Sequence, residues 1–515
     1  MTLIPFQNEP FLDYSLPENK QKMTQALQKV KSQLEQTYPL WIGGKDIESE
    51  TLEKSVNPAK HQEVIGYISQ ANAAMIKEAI QAATQAFDSW QFTSFEERAM
   101  YLVKAAAIMR RRKHELCAWQ ILESGKNWAE ADADVAEAID FLEFYAHQAI
   151  RLGQGQELHP YPGEDNRLEY IPLGVGIVIP PWNFPLAIIT GMTASAIVTG
   201  NTVLLKPAPQ SSVMAAKFVE IMKEIHLPSG VINFIPGHPE EIGDLMVGHR
   251  DTRFISFTGS KATGNHIDEY AHRKVDGQRW LKRVVAELGG KDGIVVDETA
   301  DLDAAAEGIV ASAFGFQGQK CSAGSRAIIH EDVYDELVEK VVAQTKKLKM
   351  GAPEENYAVG PVIDDKSFQK VTSYIEIGKK EAHLLLGGSA DDSKGYYIEP
   401  TIFENCTRHS RIMQEEIFGP VLAICKVSSF EEGIDVYNDT EYGLTGSVFS
   451  QDRRRLEYAR KRMMCGNLYF NRKCTGALVG VQPFGGFNMS GTDSKAGGQD
   501  YLLNFVQPKV VTERF

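Results

Sequence analysis

Gly174-Val175-Gly176-Ile177-Val178-Ile179, followed directly by Pro180-Pro181, is the stretch that decides the fold class. No charged residue occurs between Ile171 and Leu205, and an apolar run of that length could span a bilayer as a helix. Pro180, Pro181 and Pro185 forbid a continuous helix, and Asn183 and Asn201 interrupt the run. The stretch therefore reads as a buried strand entering a turn. Working outward, strand-like runs recur at Thr202–Leu205, Val231–Ile235, Phe254–Phe257 and Arg283–Glu287. Helical stretches lie between most of them, notably Ser211–Ile225 and Glu240–Val247. Strand and helix alternating at this spacing predict a mostly parallel, doubly wound α/β sheet. Such sheets bind ligands beyond the carboxyl ends of their strands.

A second alternating region follows Glu287, with a helix over Leu302–Phe314, a strand over Arg326–His330 and a helix over Glu331–Leu348. Upstream, Ser94 with Glu97 forms a capping box before Leu102, Ala106 and Met109, which share one helical face. A second helix is expected over Ala129–Ala149, with Val135, Ile139 and Leu142 on one side. The polar segment Gly153–Asn166 leading into Leu168-Glu169-Tyr170 reads as a projecting hairpin. No internal repeat or low-complexity segment interrupts the pattern.

At 515 residues the chain has room for about three domains. Its formal net charge of -14 argues against nucleic acid or an anionic membrane surface as partner. Six scattered cysteines in a chain of this size suit reduced thiols rather than a disulfide framework. The opening residues Met1–Ser15 have neither a basic nor an apolar leader region, so a cytoplasmic enzyme is expected. The pairs His114/Cys117 and Cys406/His409 are too isolated to predict a metal site.

Two local patterns suggest chemistry. Phe257-Thr258-Gly259-Ser260-Lys261-Ala262-Thr263-Gly264 follows a strand and opens a helix, which suits a bound pyrophosphate. Its spacing is not G-x-G-x-x-G, so on its own it is equally an ordinary β–α turn. Cys321 lies among small residues in Gly318-Gln319-Lys320-Cys321-Ser322-Ala323-Gly324, leaving room for a substrate. Taken alone, a cysteine is more often a buried apolar residue than a nucleophile.

Five motifs taken together resemble the signatures of the aldehyde dehydrogenase superfamily, in order and at family spacing: Pro180–Pro185, Phe257–Gly264, Glu287–Lys291, Gly318–Cys321 and Glu415–Pro420. The resemblance runs from about Pro39 to the C-terminus. It implies an aldehyde dehydrogenase-like α/β fold: a Rossmann-type NAD(P)-binding domain over residues 1–150 and 172–286, an α/β catalytic domain over 287–490, and a small β oligomerisation element made from 151–171 and 491–515. It further implies a homo-oligomer acting on a small-molecule substrate.

A narrower resemblance, to the 1-pyrroline-5-carboxylate dehydrogenase branch, rests on Glu130–Val135 through Asp140-Phe141, on Cys321–Arg326, and on Lys473–Ala477 through Pro483–Gly486. It implies oxidation of L-glutamate γ-semialdehyde to L-glutamate in proline and arginine breakdown, by the form not fused to a proline dehydrogenase. The roles implied are Cys321 as nucleophile, Asn183 as oxyanion donor and Glu287 as general base. Lys206, Ser260, Gly259, Glu416, Phe418 and Trp182 would hold the cofactor. Ser322, Gly476 and Ala477 would hold the substrate carboxylate, and Phe184 and Phe484 would wall its aliphatic part.

Two positions depart from the superfamily pattern. Pro209 stands where many NAD-preferring members carry a glutamate, so the expectation is NAD with NADP tolerated. Asp292 stands where a neutral residue is usual, and the sequence offers no reason for it. The alternatives are a dehydrogenase of another carboxylated aldehyde, such as succinate semialdehyde, or a non-catalytic member of the fold. The joint presence of Cys321, Glu287 and Asn183 argues against the latter. Replacing the nucleophile, Cys321→Ala, is expected to abolish aldehyde oxidation while NAD binding persists. Cys117, Cys406, Cys425, Cys465 and Cys474 should each tolerate alanine; retained turnover in the Cys321 variant would remove it from the nucleophile's role.

Overall fold

The computed structural model describes residues 3–515. Its first sheet has seven strands in the order Arg283–Glu287, Thr252–Thr258, Val175–Ile179, Thr202–Leu205, Ile232–Phe234, Leu40–Ile42 and Lys45–Ile47. The first five strands are mutually parallel, and each of the last two runs antiparallel to the strand before it. Both faces are covered. Val178, Val203, Leu205 and Phe254 point into one core, whereas Ile177, Leu204, Ile255 and Phe257 point into another. This two-sided burial explains why the strands read as continuous apolar runs. The chain moves one way from Val175–Ile179 and then returns to place Thr252–Thr258 on that strand's other side. A crevice opens at such a reversal, beyond the strands' carboxyl ends.

The second sheet also has seven strands, in the order His383–Leu386, Thr401–Glu404, Val421–Val427, Gly324–His330, Asp292–Val296, Thr445–Phe449 and Asn467–Phe470. Only His383–Leu386 runs antiparallel to its neighbour. Sheet membership changes between Glu287 and Asp292, so the end of one sheet and the start of the other are four residues apart in Leu288–Lys291.

The helix Ala187–Val198 has no counterpart in the sequence reading. Nearly all its residues are buried and many are small, so it carries no polar face and no 3.6-residue period to detect. The expected hairpin over 151–171 is also different in kind. Locally it makes one bridge, Gln156 to Leu168. Its strand Glu164–Pro172 pairs antiparallel with the tail strand Val506–Arg514 along its whole length. The residues between Gly491 and Phe505 pack instead on the first core, where Tyr501 stacks on Tyr145 with ring centroids 5.5 Å apart.

One helix organises the surroundings of the crevice. Trp128–Leu152 begins with a capping box formed by Asn127 and Glu130. Its acidic residues accept hydrogen bonds from distant backbone. Asp132 takes the N–H of Leu12 at 2.8 Å, and Asp140 takes that of Glu9 at 2.7 Å. Asp134 takes those of Leu186 and Ala187, at 3.2 and 2.7 Å, capping the buried helix. Glu130 takes that of Phe316 at 2.5 Å. Among the described residues no helix is long and apolar enough to cross a membrane, and no group of three or more His, Cys, Asp or Glu side chains could hold a metal ion.

Candidate active site

Four strands of the first sheet end in the crevice. Val175–Ile179 delivers Trp182, Asn183 and Phe184; Thr202–Leu205 delivers Lys206; Thr252–Thr258 delivers Gly259 and Ser260; Arg283–Glu287 ends on Glu287 itself. The second sheet contributes from the opposite side. Cys321 lies between the helix Leu302–Phe314 and the strand Gly324–His330. The chain reaches it through Phe316 and Gln317, both in the left-handed region at φ 49° and 54°, a costly conformation for residues with side chains. Gly318 follows at φ 66°, and a Cβ there would lie 2.3 Å from the carbonyl oxygen of Gly419, so only glycine fits.

Two cavities meet at the thiol. The larger, about 560 Å³, is lined by Trp182, Lys206, Gly259, Ser260, Glu416 and Phe418, with Asn183 and Cys321 at its inner end. The smaller, about 120 Å³, is lined by Phe184, Glu287, Ser322, Gly476, Ala477 and Phe484, again with Cys321. Every candidate site residue therefore falls on one lining or the other, and Cys321 falls on both.

The larger cavity suits a dinucleotide by its donor set. The buried Lys206 ammonium bonds the carbonyl of Pro207 at 3.2 Å, and burial lowers its pKa to about 8. Such a cation is better satisfied by added hydroxyl or phosphate acceptors. Ser260 caps the helix Lys261–Ala271, accepting from Thr263 N–H at 3.3 Å. That positive helix end with no acidic residue in its first turn faces the cavity and suits a pyrophosphate. One Glu416 oxygen takes the N–H of Gly290 at 3.0 Å, which leaves the other for a ribose hydroxyl. Trp182 and Phe418 meet edge to face at 5.6 Å and form an apolar end wall.

Around the thiol, electrostatics disfavour premature ionisation. Burial, aided by the negative fields of Asp292, Glu287 and Glu416, raises the Cys321 pKa well above its ordinary value. Burial likewise raises Glu287 to about 8, partly offset by a 2.5 Å bond from Ser494 Oγ and by the Lys495 charge. Its second oxygen has no hydrogen-bond partner. A carboxylate with its pKa near neutrality can exchange a proton in either direction. The Asn183 amide donates to the carbonyl of Gln319 at 3.0 Å, tying its loop to the nucleophile's. An amide nitrogen carries a second N–H, which remains for an oxyanion.

Asp292, unexplained by sequence, is buried behind this site. It takes the N–H of Thr445 at 2.6 Å, and burial raises it to about 8. One of its oxygens and the Cys321 carbonyl oxygen both lie 2.5 Å from where a Gly290 Cβ would stand, so only glycine lets the Leu288–Lys291 segment approach Cys321 this closely.

Gly476 adopts φ 79°, and Arg472 pins its loop by donating to the carbonyls of Thr475 and Gly476 at 2.8 and 3.2 Å. Lys320, Arg472 and Lys473 gather near it and lower the Lys473 pKa, after burial, by mutual repulsion. A cluster of cations around small residues favours an anion. Two residues escaped the sequence reading. Glu137, on the organising helix, lines the small cavity and is raised to about 8 by burial and by Asp134 and Asp140. Its signal was spacing: it lies two helical turns beyond Glu130, on the same face. Glu240 lines the large cavity and its charge acts on Lys206. It stands on the helix Pro239–Gly248, far in sequence from Pro209, which is exposed and absent from the lining.

The aldehyde dehydrogenase family model matches residues 44–511. The chain belongs to the aldehyde dehydrogenase family. It is 56% identical over 513 residues to the 1-pyrroline-5-carboxylate dehydrogenase of Bacillus subtilis, covering 99% of this chain and 100% of that protein. The crystal structure of 1-pyrroline-5-carboxylate dehydrogenase from Thermus with bound NAD matches with a TM-score of 0.99 and 51% identity, covering 100% of both chains. Proline utilization A from Bdellovibrio bacteriovorus matches with a TM-score of 0.97 and 41% identity, over 99% of this chain and 53% of that longer one. As in other aldehyde dehydrogenases by the resemblance of the motifs, the cofactor crevice and the thiol here adjoin.

Glu240 lines the same cavity as Lys206 and its charge reaches that lysine, so it would repel a 2′-phosphate of NADP bound near Lys206. Glu240→Gln is expected to raise kcat/KM for NADP by about 5- to 10-fold while NAD changes little, the size of one screened like-charge contact near a surface. Unchanged discrimination in steady-state kinetics with the two cofactors would show that Glu240 does not read the ribose.

Proposed function

We propose that this aldehyde dehydrogenase oxidises L-glutamate γ-semialdehyde, the open form of 1-pyrroline-5-carboxylate, to L-glutamate with NAD, in the breakdown of proline and arginine. The observation that carries the reading is the small cavity. It joins the Cys321 thiol to Ser322 and the cation-flanked Gly476-Ala477 loop at one end and to the Glu137 carboxyl group. An amino-acid aldehyde offers the complement: a carboxylate for the loop, an ammonium for Glu137, and a methylene chain for Phe184 and Phe484. Similarity to relatives named for that reaction supports the same substrate.

NAD, when bound in the larger cavity, supplies the hydride acceptor. The chain's own residues do the rest. Cys321 sulfur bonds to the aldehyde carbon as its proton leaves to Glu287, and the former carbonyl oxygen takes hydrogen bonds from the Asn183 amide and the Cys321 N–H. Each such donor contributes about 3 kcal/mol at the transition state. Oxidation leaves a thioester on Cys321. Glu287, having passed the thiol's proton on to solvent, then takes a proton from water, whose oxygen bonds to the acyl carbon as the sulfur leaves; the Cys321 thiolate regains a proton and the acid is released. Lys206, Ser260 and Glu416 bind and orient the nucleotide, and Trp182 and Phe418 keep water from its reactive end.

The ribbon of Glu164–Pro172 with Val506–Arg514 is the proposed assembly element. Val510 is 62% exposed, and the outer edge of the tail strand Val506–Arg514 pairs with no other strand among the described residues, which leaves it for strand addition by a second copy.

The test of substrate is Ser322→Ala. Loss of one charge-assisted donor costs roughly 1.5–3 kcal/mol. kcat/KM for glutamate γ-semialdehyde should therefore fall about 10- to 150-fold, while propanal, which lacks a carboxylate, is affected far less. Equal losses for the two aldehydes would contradict the carboxylate anchor.

A further inference from the structure

Lys126 is buried to 1% exposure and has no part in the chemistry described above. Its ammonium lies 4.4 Å from the ring centroid of Phe184 and 4.1 Å from that of Phe316. Its ion-pair partner is Asp134, at 3.5 Å. The two rings belong to different halves of the site. Phe184 follows Asn183 on the loop from the first sheet. Phe316 is the first of the two left-handed residues leading to Cys321. Asp134 is fixed in turn by the N–H groups of Leu186 and Ala187, two and three residues beyond Phe184.

Charges facing Lys126 come from several elements. Asp134 and Glu130 on the organising helix hold the proton on, whereas Lys320 from the nucleophile loop opposes it and burial lowers the pKa most. A buried ion pair is a poor way to fill space, since apolar residues of similar volume do as well or better. What an apolar residue cannot do is attract the faces of two aromatic rings at once.

We propose that Lys126 is a positioning residue that clamps the Asn183–Phe184 loop to the Phe316–Cys321 loop through its ammonium, setting the oxyanion donor against the nucleophile. The clamp is built from both sides. Phe316 is drawn to the ammonium while its N–H is held by Glu130 at 2.5 Å, and this keeps the left-handed turn in place. Phe184 is drawn to the same ammonium while Asp134 caps the helix that follows it. The proposal rests on the reading of Cys321 as nucleophile and Asn183 as its oxyanion donor.

The experiment compares the parent with Lys126→Arg, Lys126→Met and the double variant Lys126→Met/Asp134→Asn. The single methionine variant leaves Asp134 buried without its partner. The double variant removes both charges and keeps an oxygen acceptor for Leu186 and Ala187. Melting temperature, the pre-steady-state NADH burst with glutamate γ-semialdehyde, and KM are measured for each. Loss of NADH formation in the parent on alkylation by iodoacetamide, with the label mapped to Cys321, establishes the underlying reading first; undiminished NADH formation after Cys321 is labelled would count against that reading and not against Lys126. The double variant is expected to melt within a few degrees of the parent. Its burst rate constant should fall by about 10- to 100-fold, the scale of a misplaced reacting group, with a smaller change in KM. Lys126→Arg, which keeps a cation able to stack on both rings, should recover most of the rate. A double variant with the parent's burst rate would overturn the proposal. So would an arginine variant as slow as the double variant, because retained charge would then have no effect.

Discussion

Buried carboxylates on the helix Trp128–Leu152 take hydrogen bonds from backbone N–H groups of other segments, and the site depends on that exchange. Each group solves two problems at once. A buried carboxylate needs donors, and the first N–H groups of a buried helix or a strained turn need acceptors. Asp134 satisfies the start of Ala187–Val198, Glu130 satisfies Phe316, and Asp132 and Asp140 fasten the N-terminal segment over Leu12 and Glu9. The two loops that carry Asn183 and Cys321 are thereby referenced to one rigid element. A catalytic geometry needs that kind of support, because loops alone would not hold it.

The same economy of charge governs the chemistry. The Asp292, Glu287 and Glu416 carboxylates raise the proton affinity of Cys321, Glu416 raises that of Asp292, and burial raises all four. Glu287 keeps one oxygen on Ser494 and leaves the other unpartnered, which orients the group without consuming its reactive atom. Asp292, held near-neutral by burial, sits behind the nucleophile without adding a full negative charge there.

Much of this was legible in the sequence. The strands Thr202–Leu205 and Arg283–Glu287 and the helix Leu302–Phe314 have the bounds the pattern predicts. A strand buried on both faces declares itself as an apolar run, and a half-buried helix as a period. The site residues were legible through ordered motifs, and the structure gathers them on two adjoining cavities. What remained hidden was set by long-range contact. The helix Ala187–Val198 is apolar all round and shows no period. The partner of Glu164–Pro172 lies at the far end of the chain, so the segment looked like a hairpin of its own. Nothing local in the sequence distinguishes Glu137 and Glu240, which folding turns toward the cavities, or marks Lys126 as sandwiched between rings from two loops.

The central claim is that Cys321 carries the acyl group and Glu287 governs its release. Rapid chemical quench of Glu287→Gln with glutamate γ-semialdehyde and NAD, followed by mass spectrometry of the peptide containing Cys321, tests it directly. An acyl adduct on Cys321 is expected to build up within the first turnover and to decay slowly. The parent should show far less of it, because its general base speeds hydrolysis by typically 10²–10⁴-fold, or roughly that range here. An adduct on another cysteine, or an intact Cys321 peptide in a variant that still turns over, would contradict it.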